Sequence, residues 1–225
     1  PFVPTFPFRG GIFVNDVIYA AFGEAIYTLD EGGNYIQCGP LAGADRVYFA
    51  RNNNAIPQIV AVCAAGAFKV TATSVSAYPD ADVGSPNSVT FHDSYFIFTY
   101  GSGSVQASAV NDTPINTLDS ATAESNTDGL LRAISYQGQL YLFGPQTIEV
   151  WGEPINAVAF PLTRVGYNIT PGINNAAAIA GYEPEFGHPM IYCGSDHTVR
   201  QLNGYTANSI SPPELDALIA SVPHD

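Results

Sequence analysis

The sequence predicts an all-β fold, a β-propeller-like array of short antiparallel blades with one short C-terminal helix. Three observations predict it. Apolar and polar residues alternate through runs of strand length. Twenty-one glycines and 17 prolines punctuate those runs with turns. One internal order (strand, polar turn, strand, Gly-containing turn, strand) returns along the chain. With Val17, Ile59, Tyr95, Leu140 and Met190 as the second strand of each unit, the spacings are 42, 36, 45 and 50 residues. A four-stranded propeller blade repeats at about that period. A two-sheet sandwich also gives short strands at regular spacing, but this period is longer than one hairpin and keeps its internal order.

The blades are expected at 10–42, 46–79, 88–128, 129–165 and 173–205, in a single propeller-like domain over 1–225 that is a fragment of a longer chain. "GIFVNDVIYAAFGEAIYTLDEGGNYIQCG" (11–39) breaks at Asn15-Asp16, at Phe22-Gly23 and at Asp30 to Asn34, all turn formers. The second unit is carried by "RVYFARNNNAIPQIVAVCAAGAFKVT" (46–71), and the third by "SVTFHDSYFIFTYGSGSVQASAV" (88–110). "DTPINTLDSATAESNTDG" (112–129) is polar and reads as a surface excursion. The fourth unit holds "LLRAISYQGQLYLFGPQTIEVWG" (130–152); the fifth, "AAAIAGYEPEFGHPMIYCGSDHTVRQLNG" (176–204), is fainter. At the end, "SPPELDALIASV" predicts a helix over 212–221. Ser211 and Glu214 form a capping box, and Pro212 suits the first helical position. Leu215, Leu218, Ile219 and Val222 share one face, expected to dock on a blade or a neighbouring subunit.

Composition narrows function. Hydrophobic residues make up 46% of the 225, enough for a sizeable core, and charged residues only 12%. Surface this poor in charge is either polar and neutral or covered by other chains. Twenty acids face seven bases, for a net charge of −13. Lys69 is the sole lysine and six arginines are scattered, so clustered phosphate neutralisation is not available. Cys38, Cys63 and Cys193 are odd in number and lack a CxxC motif; they read as buried free thiols. No apolar run reaches the length of a membrane span.

Each candidate for chemistry has a plainer reading. Glu149 lies beside Trp151, the only tryptophan, yet Glu153 falls past Gly152 and offers no convincing partner acid. Glu149 is therefore assigned to hydrogen bonding at a strand edge or between blades. Asp80, Asp82 and Gly84 faintly resemble a calcium loop without its twelfth-position acid. His92-Asp93 and Asp196-His197 lack a nucleophile context. "GSGS" (101–104) has no following lysine or helix and is no phosphate loop. The expectation is no catalytic residue, no cofactor and no metal.

Four blocks then carry a family likeness: "RGGIFVNDVIYAAFGEAIYTLDEGG" (9–33), "RVYFA" (46–50), "TDGLLRAISYQGQLYLFGPQTIEVW" (127–151) and "GSDHTVRQLNGYTANSISPPELDALI" (194–219). In order and spacing they resemble the phage packaged-DNA stabilisation proteins, the tail accessory factors or tail hub and nozzle components of short-tailed phages. The run from Asp128 to Trp151 is the most specific. The resemblance implies a propeller subunit forming a homo-oligomeric ring, six-fold in known relatives. It sits below the portal and adaptor, touches the tail needle and helps to retain the packaged genome. It also implies a virion (tail) location after synthesis in the bacterial cytoplasm, with no membrane. Excess acid suits a wall past which DNA moves without specific binding. The expected protein is thus structural and not an enzyme. The rival readings are a carbohydrate-binding or carbohydrate-active propeller, which needs two converging carboxylates or an exposed aromatic platform, and a receptor-binding tail adhesin.

Overall fold

Among the residues described in this computed structural model (6–123, 128–154, 160–183 and 189–222), twenty strands build five four-stranded antiparallel sheets, each running in chain order. The first holds β1 (Phe8–Val14), β2 (Val17–Phe22), β3 (Ala25–Leu29) and β4 (Tyr35–Pro40). The second holds β5 (Tyr48–Arg51), β6 (Ile59–Cys63), β7 (Gly66–Thr71) and β8 (Ser74–Ala77). The third holds β9 (Ser88–His92), β10 (Tyr95–Thr99), β11 (Ser104–Ser108) and β12 (Ile115–Thr122). The fourth holds β13 (Arg132–Tyr136), β14 (Gln139–Phe143), β15 (Ile148–Gly152) and β16 (Thr163–Ile169). The fifth holds β17 (Ile179–Ala180), β18 (Ile191–Cys193), β19 (Val199–Asn203) and β20 (Thr206–Ser209); helix α1 (Pro213–Ser221) follows. The all-β blade array expected from the sequence is therefore present. Val17, Ile59, Tyr95 and Leu140 all lie in the second strand of their sheets, and Met190 directly precedes β18.

Hairpin chemistry explains the first turn of three sheets. Asn15-Asp16, Asp93-Ser94 and Gln137-Gly138 are two-residue connections in which both residues have positive φ. That geometry matches the twist of the flanking strands and favours Asn, Asp and Gly. At the β3–β4 turn, the Asp30 carboxylate accepts from the Asn34 backbone N–H at 2.9 Å and from its side-chain amide.

Burial decides which strands the sequence announces. β6 and β15 are buried at every residue, and β10 and β14 at all but their first. With both faces covered, they read as continuous apolar runs. The last strand of each sheet is mostly exposed; β12, for example, buries only Ile115. The polar 112–129 segment was expected to be a surface excursion, and this is corrected: it supplies β12, an edge strand whose side chains leave no alternation to read.

The chain divides into two compact units, residues 1–100 with 105–121, and residues 101–104 with 122–225. In the first unit, Val14, Ala21, Ile26 and Cys38 of the first sheet pack with Ile59, Ala61, Cys63 and Val70 of the second. The second sheet's Val60 and Val62 pack in turn with Val89, Phe96 and Phe98 of the third. In the second unit, Tyr141, Phe143, Ile148 and Val150 pack with Ile179, Met190, Tyr192 and Leu202. Within each unit these paired sheets meet through apolar side chains, the dry contact that stabilises such repeats.

The connections between sheets approach backbone to backbone. A Cβ on Gly10 would stand 2.1 Å from the Val47 carbonyl oxygen, and one on Gly172 would stand 2.1 Å from that of Gly144. The neighbouring hydrogen bonds, Val47 N–H to Arg9 O and Ile173 N–H to Gly144 O, hold these loops in register. Glycine is required here by space.

Helix α1 corrects a local expectation. It starts at Pro213, its N-cap is Pro212, and no side chain caps it. The Ser211 hydroxyl accepts from the Val199 N–H at 2.9 Å and donates to Asp216. It ties the helix to β19 and takes no part in a capping box. None of its residues is buried, and Leu215, Leu218 and Val222 are exposed. The expected docking of this face on a blade of the same chain is not seen.

Gly172→Ala is expected to lower stability by about 2 kcal/mol or more, because the displaced atoms are rigid backbone. Urea unfolding of the variant measures it, and an unchanged midpoint would contradict the close approach.

Candidate functional site

Glu149 is the sharpest test of a catalytic reading. It lies in β15, the third strand of its sheet, paired with Leu142 on one side and Asn168 on the other. Its side chain is buried, and its Oε2 accepts from the Trp151 indole N–H at 2.8 Å. Residues i and i+2 on a strand share a face, so sequence spacing alone brings this acceptor and donor together. Trp151 meets Phe160 edge-on at 5.8 Å. The hydrogen-bonding role expected for Glu149 fits this geometry; the strand-edge position does not, because β15 lies inside its sheet. Glu153 is exposed beyond the end of β15.

The other motifs resolve into turns. Asp80 caps a 3-10 turn (Ala81–Val83): one oxygen accepts from the Asp82 N–H at 3.0 Å and the other from the Ile115 N–H at 2.8 Å. The Ile115 bond, then the Asp82 bond, holds its carboxyl below the usual aspartate range. Both oxygens are thus engaged by backbone, and the calcium-loop likeness is a turn anchoring β12. His92 is buried at the end of β9, with Nε2 3.9 Å from Asp93 in the hairpin turn. Asp196 accepts from the Thr198 N–H at 3.2 Å and from its hydroxyl at 2.7 Å, and pairs with Arg200. His197 completes that turn at φ 64°. In "GSGS", the Ser102 and Ser104 hydroxyls bond each other at 2.7 Å in the β10–β11 turn.

All three cysteines are free. Cys38 and Cys63 are buried as expected, while Cys193 is half-buried, a partial correction. Burial pushes each thiol up, which suppresses the thiolate. Among the described residues, no group of three or more His, Cys, Asp or Glu is placed to hold a metal. Tyr167 and Tyr205 stack at 4.2 Å and 8°, each covering one face of the other. Gln139 donates to the Tyr205 hydroxyl at 2.7 Å.

Two polar centres were not found by reading the sequence. Arg9 is 1% exposed, in β1. Its Nε donates to Asp45 O at 2.7 Å, and Nη1 donates to Gly23 O at 2.8 Å and Leu41 O at 2.9 Å. Nη2 donates to Ala42 O at 3.2 Å and lies 3.3 Å from Asp45 Oδ1. Asp45 Oδ2 in turn accepts from the Ala64 N–H at 2.6 Å, at the β6–β7 turn. One guanidinium thus ties β1 to the β2–β3 turn and to the 41–45 loop, and through Asp45 to the second sheet, using the planar fork of donors that lysine lacks.

The second centre is an amide lattice. Buried Asn52 donates to Gln58 Oε1 at 2.7 Å and to Asn111 O at 2.9 Å, and accepts from the Gln58 N–H at 2.7 Å. The Asn54 side chain donates to Asn111 O at 3.1 Å, and the Asn111 side chain donates to Asn54 Oδ1 at 2.7 Å. The "RNNN" loop of the second sheet is thereby locked to the β11–β12 turn of the third. Only the asparagine run itself hinted at it.

The arrangement is that of a sheet-built scaffold held by buried polar clasps, the β-propeller class. A family model described as "Bacteriophage P22 Gp10, beta-propeller" matches residues 6–225, and the chain belongs to this family. The family is one of phage packaged-DNA stabilisation, a structural role in the virion and not a known enzyme class. No curated protein matches the sequence. Among solved structures, PorZ, an essential surface component of the type-IX secretion system of Porphyromonas gingivalis, is similar at 14% identity and a TM-score of 0.55. That likeness covers 92% of this chain and 26% of PorZ, so this chain spans about a quarter of the matched one. The Pan2 WD40 domain of Neurospora crassa is similar at 11% identity and a TM-score of 0.49, over 92% of this chain and 66% of that one. The PorZ likeness is one of fold.

Arg9→Met is expected to cost about 3 kcal/mol or more, since it strands several buried carbonyls and leaves Asp45 without its cation. Chemical denaturation measures this, and a loss below about 1 kcal/mol would contradict the clasp. Acid should act through Asp80. Its carboxyl is lowered from 3.8, so its contribution is present above that value and lost as pH falls through the folded value. Asp80→Asn should therefore lower the melting temperature at pH 7, with the gap to the parent closing below about pH 3.8. A gap that stays constant with pH would contradict this.

Proposed function

We propose that this protein is a structural component of a phage tail. Its five sheets serve as consecutive blades of one propeller-like domain. Six copies form a ring below the portal and adaptor, in contact with the tail needle, and the ring helps to keep packaged DNA in the capsid. The observation that carries this reading is the family match across residues 6–225.

The charge distribution supports a wall that DNA passes without specific binding. Four of the seven basic residues are engaged internally: Arg9 by loop carbonyls, Arg51 by Asn52 O, Arg132 by Ala176 O and the Tyr182 hydroxyl, and Arg200 by Asp196. The remaining three bases, in a chain with 20 acids, are too few for a chain of phosphate contacts. Like charge between wall and duplex keeps the departing genome from sticking. The protein performs no chemistry of its own in this reading, and no helix among the described residues is long and apolar enough to cross a membrane.

Particles assembled without the protein test the reading. They are expected to package DNA and then release it, so that empty heads outnumber full ones by electron microscopy and infectivity falls at least tenfold. Restoring the full-length protein restores both, and the mass of the complex that it forms with the adaptor corresponds to six copies of this protein plus the adaptor. Full, infectious particles in its absence would contradict the role.

A further inference from the structure

A ledge of tyrosines and glutamines lies on the second unit, at the seam of the fourth and fifth sheets. Two local devices aim its rings. Between the pairs Glu149–Asn168 and Trp151–Arg164, Val150 alone on β15 stands against Val165, Gly166 and Tyr167 on β16. Gly166, at φ 91°, lets the outer strand bulge there. A bulge re-aims the side chains it carries, and Tyr167 is 50% exposed. Tyr205 shares the two-residue β19–β20 turn with Gly204, at φ 59°. The two rings stack in parallel, so each keeps one face outside the stack. Polar side chains continue from the pair. Gln139 donates to the Tyr205 hydroxyl, and the Tyr141 hydroxyl lies 3.5 Å from Gln139 Oε1. Tyr136 meets Tyr141 edge-on at 6.0 Å, and Gln137 donates to the Tyr136 hydroxyl at 3.2 Å. None of these six side chains is an acid or a base of the Asp, Glu, Lys or Arg type.

Cohesion of the two sheets does not account for the ledge. They are already joined through Phe143, Ile148, Val150, Ile179, Met190 and Leu202, and the stacked rings stand outside that core. The Tyr167 hydroxyl has no partner among the described residues, and the Tyr205 hydroxyl accepts from Gln139 with its own proton left to donate. A flat aromatic face edged by amides and phenols, without charge, suits one ligand chemistry. A pyranose ring has an apolar C–H face that lies flat on such a ring, and a rim of hydroxyls that donate and accept. A nucleobase also stacks, but its phosphates are repelled by a chain of net charge −13. Proline-rich peptides dock in grooves lined by rings, and here the space between the rings is closed at 4.2 Å. We infer that the Tyr167–Tyr205 ledge is a binding site for a neutral hexopyranose unit of a glycan. Tyr167 is its platform, and Gln137, Gln139 and the tyrosine hydroxyls edge it. The inference goes beyond the structural role proposed above and does not rest on it.

Saturation-transfer NMR on the purified full-length protein tests it. The probes are the methyl β-D-glycosides of glucose, galactose and mannose at millimolar concentration, with an oligoproline peptide as the competing class. Saturation is expected to reach at least one glycoside, most strongly at the axial protons of C3 and C5 on its apolar face. Tyr167→Ala should lower that transfer at least fivefold. Tyr167→Trp, which keeps a flat ring, should retain it and so separates loss of the platform from loss of the fold. Leu118→Ala, at an exposed residue of β12, should leave it unchanged. The inference is overturned if none of the three glycosides receives saturation, or if the oligoproline does and they do not. Transfer that survives Tyr167→Ala, fails in Tyr167→Trp or falls equally in Leu118→Ala would also overturn it. The structural role is read separately, from DNA retention in particles, and neither result decides the other.

Discussion

The buried guanidinium of Arg9 is the constraint on which the first unit depends. A sheet buries apolar side chains readily on its faces, but the loops that pass from one sheet to the next carry carbonyls that must also be satisfied out of water. Arg9 meets that demand at one point, taking carbonyls from the β2–β3 turn and from the loop that leads to β5. Asp45 neutralises it and reaches on to the β6–β7 turn. The same logic appears without charge in the asparagine lattice, where Asn52 and Asn111 hold two loops by complementary amides. In the second unit, Arg132 reaches the Ala176 carbonyl and lies over the Tyr182 ring. Apolar faces supply the attraction between sheets; these clasps set their register.

Much of the fold could be read from the residues because inner strands are buried on two sides. "IVAVC" and "QLYLF" are unbroken apolar runs, and the turns between first and second strands use Asn, Asp and Gly where positive φ is needed. The outer strands were harder. β12, with "INTLDSAT", has no buried face beyond Ile115, so its residues record solvent and not pairing. The capping box at Ser211 misled for a related reason: the serine found a better partner in β19 than in its own helix. Arg9 was invisible because a buried arginine and a solvated one look alike in a sequence. What distinguishes it is a set of carbonyls contributed by residues up to 36 positions away.

The weighing of chemistry also turns on geometry. Glu149, taken alone, has the features of a functional carboxylate: it is acidic, buried and hydrogen-bonded to a tryptophan. Its indole partner donates a hydrogen bond at 2.8 Å and cannot relay a proton in the way an acid–base pair does. The paired acidic and histidine motifs all close turns. In the proposed role, a scaffold of this kind acts through its surfaces and not through a reactive centre.

Native-state hydrogen exchange on the full-length protein tests the central claim most directly. The amides of Val47 and Ala64 lie in connecting segments outside the strands, and they bond Arg9 O and Asp45 Oδ2. If the clasp holds the sheets together, these two amides exchange only on global unfolding, as slowly as those of β6. Exchange at the rate of ordinary exposed loops, with β6 still protected, would show that the apolar faces alone hold the unit and that the clasp is incidental.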